Sequence, residues 1–175
     1  MEARDVTEEL LAVLERGSVE EHKQAAADPS ATEKVLMKAM GDGDWRVRWV
    51  AAMNAAASGR VLMKALEDER LEVRLAAAGN VGASEVVLAA AVGDGDPRVR
   101  TVAVENANAP EAVVVRGAFD HSKWVRIAAA RSPRLPVEAA DKLLKSRVRE
   151  IAVALAANEA LPERIRVAAR LKAGL

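Results

Sequence analysis

Trp45 and Trp49 lie four residues apart among Arg46, Arg48 and Met53, and no other group in the chain is so well equipped to engage a partner. On a helix that spacing sets both indoles on one face. Indole and guanidinium side chains together have the composition of an interaction hot spot: the first supplies buried area, the second directional pairing to carboxylates. The same tryptophans could instead fill a groove between neighbouring helices, and both readings stay open. Reactive groups are sparse elsewhere. His22 and His121 are the only histidines, and neither has a second His at metal-ligand spacing. There is no Gly-rich phosphate loop, nucleophile elbow or His–carboxylate motif. The turns Gly41-Asp42-Gly43-Asp44 and Gly93-Asp94-Gly95-Asp96 are too short for EF-hand calcium loops. With no Cys in the chain, disulfides, thiolate zinc sites and Cys-ligated iron–sulfur clusters are excluded. No metal and no cofactor is expected.

Charge offers a second candidate. The formal net charge is zero, but residues 1–33 hold nine acids and three bases, while 121–175 hold twelve bases and five acids. Lys142, Lys145, Arg147 and Arg149 are the densest part of the basic stretch and could contact an anion or nucleic acid; solvated helix faces are the plainer explanation. Met1 to Asp5 lacks the apolar core of a signal peptide. The longest apolar runs, 86–92 and 151–157, are seven residues each, where a membrane span needs about 20. A soluble, cytoplasmic protein without membrane contact is the expectation; the residues do not set the oligomeric state.

What positions these groups is a 26-residue period. Val47-Arg48, Val73-Arg74, Val99-Arg100 and Val125-Arg126 recur in step, as do Asp42, Asp68, Asp94 and Asp120, and Asn54, Asn80 and Asn106, with Asn158 further on. A period of this length means stacked units that bury their apolar faces against one another. Each unit carries an i, i+4 apolar pair (Leu36/Met40, Leu62/Leu66, Leu88/Val92), then an acidic turn, then an i, i+3, i+4 patch (Val47/Val50/Ala51, Val73/Ala76/Ala77). Thr32, Ser58, Ser84, Pro110, Pro136 and Pro162 mark the starts of the first helices. The count is seven first helices and six second helices. Ile151-Ala152 replaces Val-Arg while Val148-Arg149 sits three residues early, so a local slip is expected there. Polar residues at apolar columns, Glu21 and Gln24 near one end and Arg166 and Arg170 near the other, read as caps at about 1–28 and 159–175. The Asp and Asn columns read as scaffold: Asp capping the second helix or pairing with Arg, Asn fixing a turn.

Asp42 followed by Val47-Arg48 resembles the second half of a HEAT repeat. Asn106-Ala107-Asn108-Ala109-Pro110-Glu111-Ala112-Val113 and the shortness of the unit are similar to the leucine-rich-repeat variant (LRV) family. Together the resemblances cover roughly 9–170. They imply an all-α, right-handed α-solenoid (a superhelix) of about six helix–turn–helix repeats, in one domain over 1–175. LRV-type proteins can carry an N-terminal Cys cluster for iron–sulfur, which this Cys-free chain does not share. A few HEAT-like proteins are DNA glycosylases that use Trp, Asp and Arg; Trp45, Trp49, Asp42 and Arg48 are those ingredients here, with no motif joining them. The expected function is non-catalytic: a scaffold whose second helices grip a protein or peptide through Trp45, Arg46, Trp49 and Met53, extended by Arg98, Trp124 and Arg131. The alternative is nucleic-acid binding by the basic C-terminal half.

Overall fold

The computed structural model describes residues 3–175, with side chains from Val6 onward, so the first residues of the expected N-terminal cap lie outside the described residues. Thirteen helices and no strand are found among the described residues. The first helices of the repeats are α1 (Ala3–Arg16), α3 (Glu33–Ala39), α5 (Gly59–Leu66), α7 (Glu85–Ala91), α9 (Glu111–Ala118), α11 (Val137–Leu143) and α13 (Glu163–Ala173). The second helices are α2 (Val19–Ala27), α4 (Trp45–Met53), α6 (Leu71–Gly79), α8 (Pro97–Glu105), α10 (Lys123–Arg131) and α12 (Arg149–Ala157). The seven and six expected from the period are the seven and six observed, and the all-α repeat fold is an α-solenoid.

Most of these helices have seven to nine residues, below the roughly 12–15 that an isolated helix needs. Stacking must therefore supply their stability. The first helices α3, α5 and α7 bury the neighbouring pairs Val35-Leu36, Val61-Leu62 and Val87-Leu88, each with an Ala one turn on. The second helices from α4 to α12 bury Val47, Val73, Val99, Val125 or Ile151 together with small residues such as Ala51-Ala52 and Ala77-Ala78, over which backbones come close, while α2 buries only Ala25 and Ala26. Fully burying a Val or Leu contributes about 1.5–3 kcal/mol, and the columns repeat that gain along the inner repeats.

The chain divides into one compact unit running to Ala91 and another from Val92 to Leu175. In the first, α4 packs between α2 and α6, and α3 and α5 carry the row of first helices from α1 to α7. In the second, α10 packs between α8 and α12, and α11 between α9 and α13. Thus each unit is two layers, one of first helices and one of second.

The helix starts follow the expected column: Thr32, Ser58, Pro110, Pro136 and Pro162 are all N-cap residues, and Ser58 accepts from the Val61 N–H. Glu21 is held in a capping box with Ser18. The expected slip at 148–152 does not occur. Helix α12 begins at Arg149, two repeats' step beyond α8 and in the same column, and Ile151 fills the Val column with no exposure. Only the Arg of that column is gone, replaced by buried Ala152.

Candidate functional site

Most charged groups in the repeats are already engaged. Arg48 Nε and Nη2 lie 2.6 and 3.0 Å from the two carboxylate oxygens of Asp68, and its Nη1 donates at 2.9 Å to the Asp42 carbonyl. Arg100 repeats this on Asp120 at 2.7 and 2.8 Å and on the Asp94 carbonyl at 3.0 Å. The Arg six residues on thus takes the Asp carbonyl, while the carboxylate pairs with the Arg of the preceding repeat. Helix capping falls to different residues, Asp44 and Asp96, which accept from the Arg46 and Arg98 N–H groups. The Arg100 hydrogen bond holds the Asp120 carboxyl below the usual carboxylate range. Burial works against the charge on Asp68, but the Arg48 bond and the Arg70 N–H outweigh it, and that carboxyl is lowered too. In the first rung His22 stands in the Arg column, its Nδ1 2.6 Å from Asp42.

The Asn column is a second ladder. Asn54 Nδ2 donates to the Ala26 and Asp28 carbonyls at 2.9 and 3.0 Å, and its Oδ1 accepts from the Ala56 N–H at 2.8 Å. Asn80 reaches Ala52 and Asn54 in the same way, and Asn158 reaches Ala130 and Ser132. Their backbones are extended, and no described residue other than Gly174 has positive φ. Each Asn fixes its own turn and ties it to the preceding repeat.

In the N-terminal unit, Trp49 and Met53 form a ridge between two grooves. One, of about 450 Å³, lies against Ala27, Pro29, Ala55 and Ala56; the other, of about 470 Å³, against Leu75, Ala76, Gly79 and Val81. Met53 is 54% exposed and Val81 76%. The remaining two residues expected in this cluster are placed differently. Trp45 lines neither groove and carries the Arg70 guanidinium 4.6 Å from its ring centre. Arg46 is clamped on Asp44, at 2.9 Å through Nε and 2.6 Å through Nη2, which holds the Asp44 carboxyl far below its usual range.

In the C-terminal unit, Arg98 pairs with Asp96 at 2.8 Å. Trp124 is 60% exposed, with the Lys123 ammonium 4.7 Å from its ring centre. Arg131 borders a groove of about 530 Å³ with Glu105, Pro133 and Arg134. Of the basic stretch, Arg149 turns to the Ala173 carbonyl at the end of α13, at 2.9 Å, while Lys142 stands over the ring of Phe119. Lys145 and Arg147 are exposed and have no ion-pair partner among the described residues. The sequence reading overlooked Val81 and Phe119, and took Arg134 only as part of the basic C-terminal stretch. Val81 did carry a signal, being a β-branched apolar residue in a turn column otherwise filled by Pro29, Ala55, Ala107, Pro133 and Glu159.

Catalytic ingredients do not converge. Asp42 is bound by His22 and by the Asp44 N–H, and Arg48 by Asp68, so both serve the ladder. Among the described residues no three His, Cys, Asp or Glu side chains gather as metal ligands, and no helix is long and apolar enough to cross a membrane.

No protein-family model matches the chain, and no curated protein matches it in sequence. Among solved structures it is similar to a leucine-rich repeat variant described as having a novel repetitive protein structural motif. The identity is 20%, the TM-score is 0.59, and the match covers 97% of this chain and 82% of that one. At this identity the likeness establishes the fold: the LRV resemblance read from the repeats holds for the architecture. Stacked repeats of this kind suit binding or scaffolding in general.

Proposed function

We propose that the protein is a non-catalytic binding module that takes an extended, apolar segment of a protein or peptide on the second-helix face of its N-terminal unit. The observation carrying this reading is the Trp49–Met53 ridge with an apolar groove on either side. A peptide laid across the ridge could set one apolar side chain in each groove, against Pro29 and Ala55 on one side and Leu75 and Val81 on the other. Large side chains beside small ones make the pockets that anchor interface residues. Charge plays little part, because Arg46 is neutralised by Asp44, and Glu72 lies 3.4 Å from Arg70. Trp45 acts as a support under Arg70. Arg98, Trp124 and Arg131 lie in the C-terminal unit, where Arg131 borders a more polar groove.

The test is selection of random peptides against the wild-type protein and against Trp49→Ala. Enrichment of peptides with two spaced aliphatic or aromatic residues, lost with Trp49→Ala, supports the reading. Peptides that bind both proteins equally well would sink it.

A further inference from the structure

One rung of the Asp–Arg ladder lacks its acid. The rungs Arg48–Asp68 and Arg100–Asp120 join residues 20 apart. Arg126 begins the same rung on α10: its Nη1 donates to the Asp120 and His121 carbonyls at 2.7 and 2.9 Å, as Arg48 does on Asp42 and Gly43. The residue due to receive its other edge is Ser146, whose hydroxyl instead accepts from the Val148 N–H at 3.2 Å. Among the described residues no carboxylate pairs with Arg126. The backbone thus fixes a half-buried guanidinium in the pose used elsewhere to grip a carboxylate in two places. That edge matches the geometry of a phosphate oxygen pair as well as that of a carboxylate.

The surroundings add charge of the same sign. Exposed Lys145 and Arg147 flank Ser146, and Lys142 lies one helical turn before it. One repeat earlier, Arg116 and Phe119 occupy the columns of Lys142 and Lys145, and the Lys142 ammonium lies 5.0 Å from the Phe119 ring centre. Phe119 is 51% exposed. Three acids adjoining these residues are engaged, Asp120 by Arg100, Asp141 by Arg164 and Glu150 by Lys123. The corresponding turn columns of the N-terminal unit hold Gly41 and Gly43, then Glu67 and Glu69. The basic edge is therefore a property of the C-terminal unit.

We infer that this edge, Arg126 with Lys142, Lys145 and Arg147 beside the half-exposed ring of Phe119, binds single-stranded nucleic acid, with a backbone phosphate taking the place of the absent carboxylate at Arg126. Unneutralised cations following a strand, next to an exposed aromatic on which a base can stack, are the elements of such a surface. An acidic peptide would satisfy the cations but would leave the phenyl ring unused. A duplex hides its bases from that ring. The inference does not depend on the grooves beside Trp49.

The experiment is fluorescence anisotropy with labelled single-stranded DNA and RNA of about ten nucleotides, beside the matching duplex, a poly-glutamate peptide and inorganic phosphate as competitor, at low and physiological salt. The decisive variant is Ser146→Asp, which restores the missing rung and should fold at least as well as wild type. Single strands should bind best and lose affinity as salt rises, with a log–log slope of about −2 to −3 for three or four phosphates neutralised. Ser146→Asp should weaken them at least tenfold, the Lys145→Gln/Arg147→Gln double variant by a similar factor, and Phe119→Leu about fivefold. Equal binding of poly-glutamate or duplex would overturn the assignment to single strands. So would strand affinity untouched by Ser146→Asp in a protein that still melts cooperatively, or no binding at either salt.

Discussion

Two grooves of this molecule occupy the same place in the repeat, 52 residues apart in sequence, and differ in almost every lining side chain. Between α4 and α6 the lining includes Trp49, Met53, Leu75, Gly79 and Val81, with Glu72 its one charged side chain. Between α8 and α10, two periods on, the same columns hold Thr101, Glu105, Ile127, Arg131 and Pro133, with Arg134 where the first has Gly82. Backbone and core are alike, with Val73 and Ala77 below one and Val125 and Ala129 below the other, all fully buried. The scaffold is the same in both places while the exposed columns differ, one groove mainly apolar and the other carrying Glu105, Arg131 and Arg134. The charge totals follow suit: eleven bases against sixteen acids up to Ala91, fifteen against ten from Val92.

The largest contrast should appear in the ties beneath the two grooves. Asn80→Ala removes a buried side chain that donates to Ala52 and Asn54 and accepts from Gly82. Leaving those carbonyls unpaired should cost about 3 kcal/mol. The equivalent residue of the other groove is Ser132, which makes no such bridge; there Arg134 reaches the Ala107 and Ala109 carbonyls instead. Ser132→Ala should cost less than about 1 kcal/mol. Denaturant titrations of the two variants measure the difference, and equal losses would show that the column has one role throughout.

Next in size is the ridge itself. Trp49→Ala should weaken a groove-selected peptide by about 2 kcal/mol, or roughly thirtyfold, while the melting temperature falls only slightly because the indole is half-buried. A fall in melting temperature as large as that of Asn80→Ala would assign Trp49 to the core. Copying one lining residue across makes a finer test. Met53→Glu gives the apolar groove the side chain of its counterpart, and peptide affinity should drop about tenfold with stability unchanged, since Met53 is more than half exposed.

The smallest effect is in the ladder. Asp68 and Asp120 have lowered carboxyl pKa values in the fold. Their contribution is complete above the unfolded value of about 4 and disappears as pH falls through the lower folded values. Melting temperatures should therefore be flat near neutrality and decline below about pH 4, and Asp120→Asn should remove part of that acid decline. A decline unchanged in that variant would show that Asp120 takes no part in it.

How far the sequence could be read depends on how far apart the cooperating residues are. Helix number, boundaries and buried faces follow from spacings of three and four residues within a helix, so Val47, Ala51 and Leu62 could be placed without any structure. The scaffold role of the Asp and Asn columns was legible too, because both recur with the period. Three points were not. Asn54 was expected to bond only its own turn, yet it also holds carbonyls 26 and 28 residues back. Arg46 and Arg98 read as free binding cations, yet each closes on an Asp two residues earlier. Trp45 and Trp49 share a helix face by count, yet one lies under Arg70 and the other forms a groove wall.

By itself the sequence determined the repeat, the thirteen helices and the core, because hydrophobic periodicity is local and each unit has to bury the same face. The tertiary structure alone decided which polar groups remain available. A guanidinium is neutralised or left open by a carboxylate 20 residues away, and a methionine forms a ridge only when the helices stacked on either side carry alanine and glycine beside it.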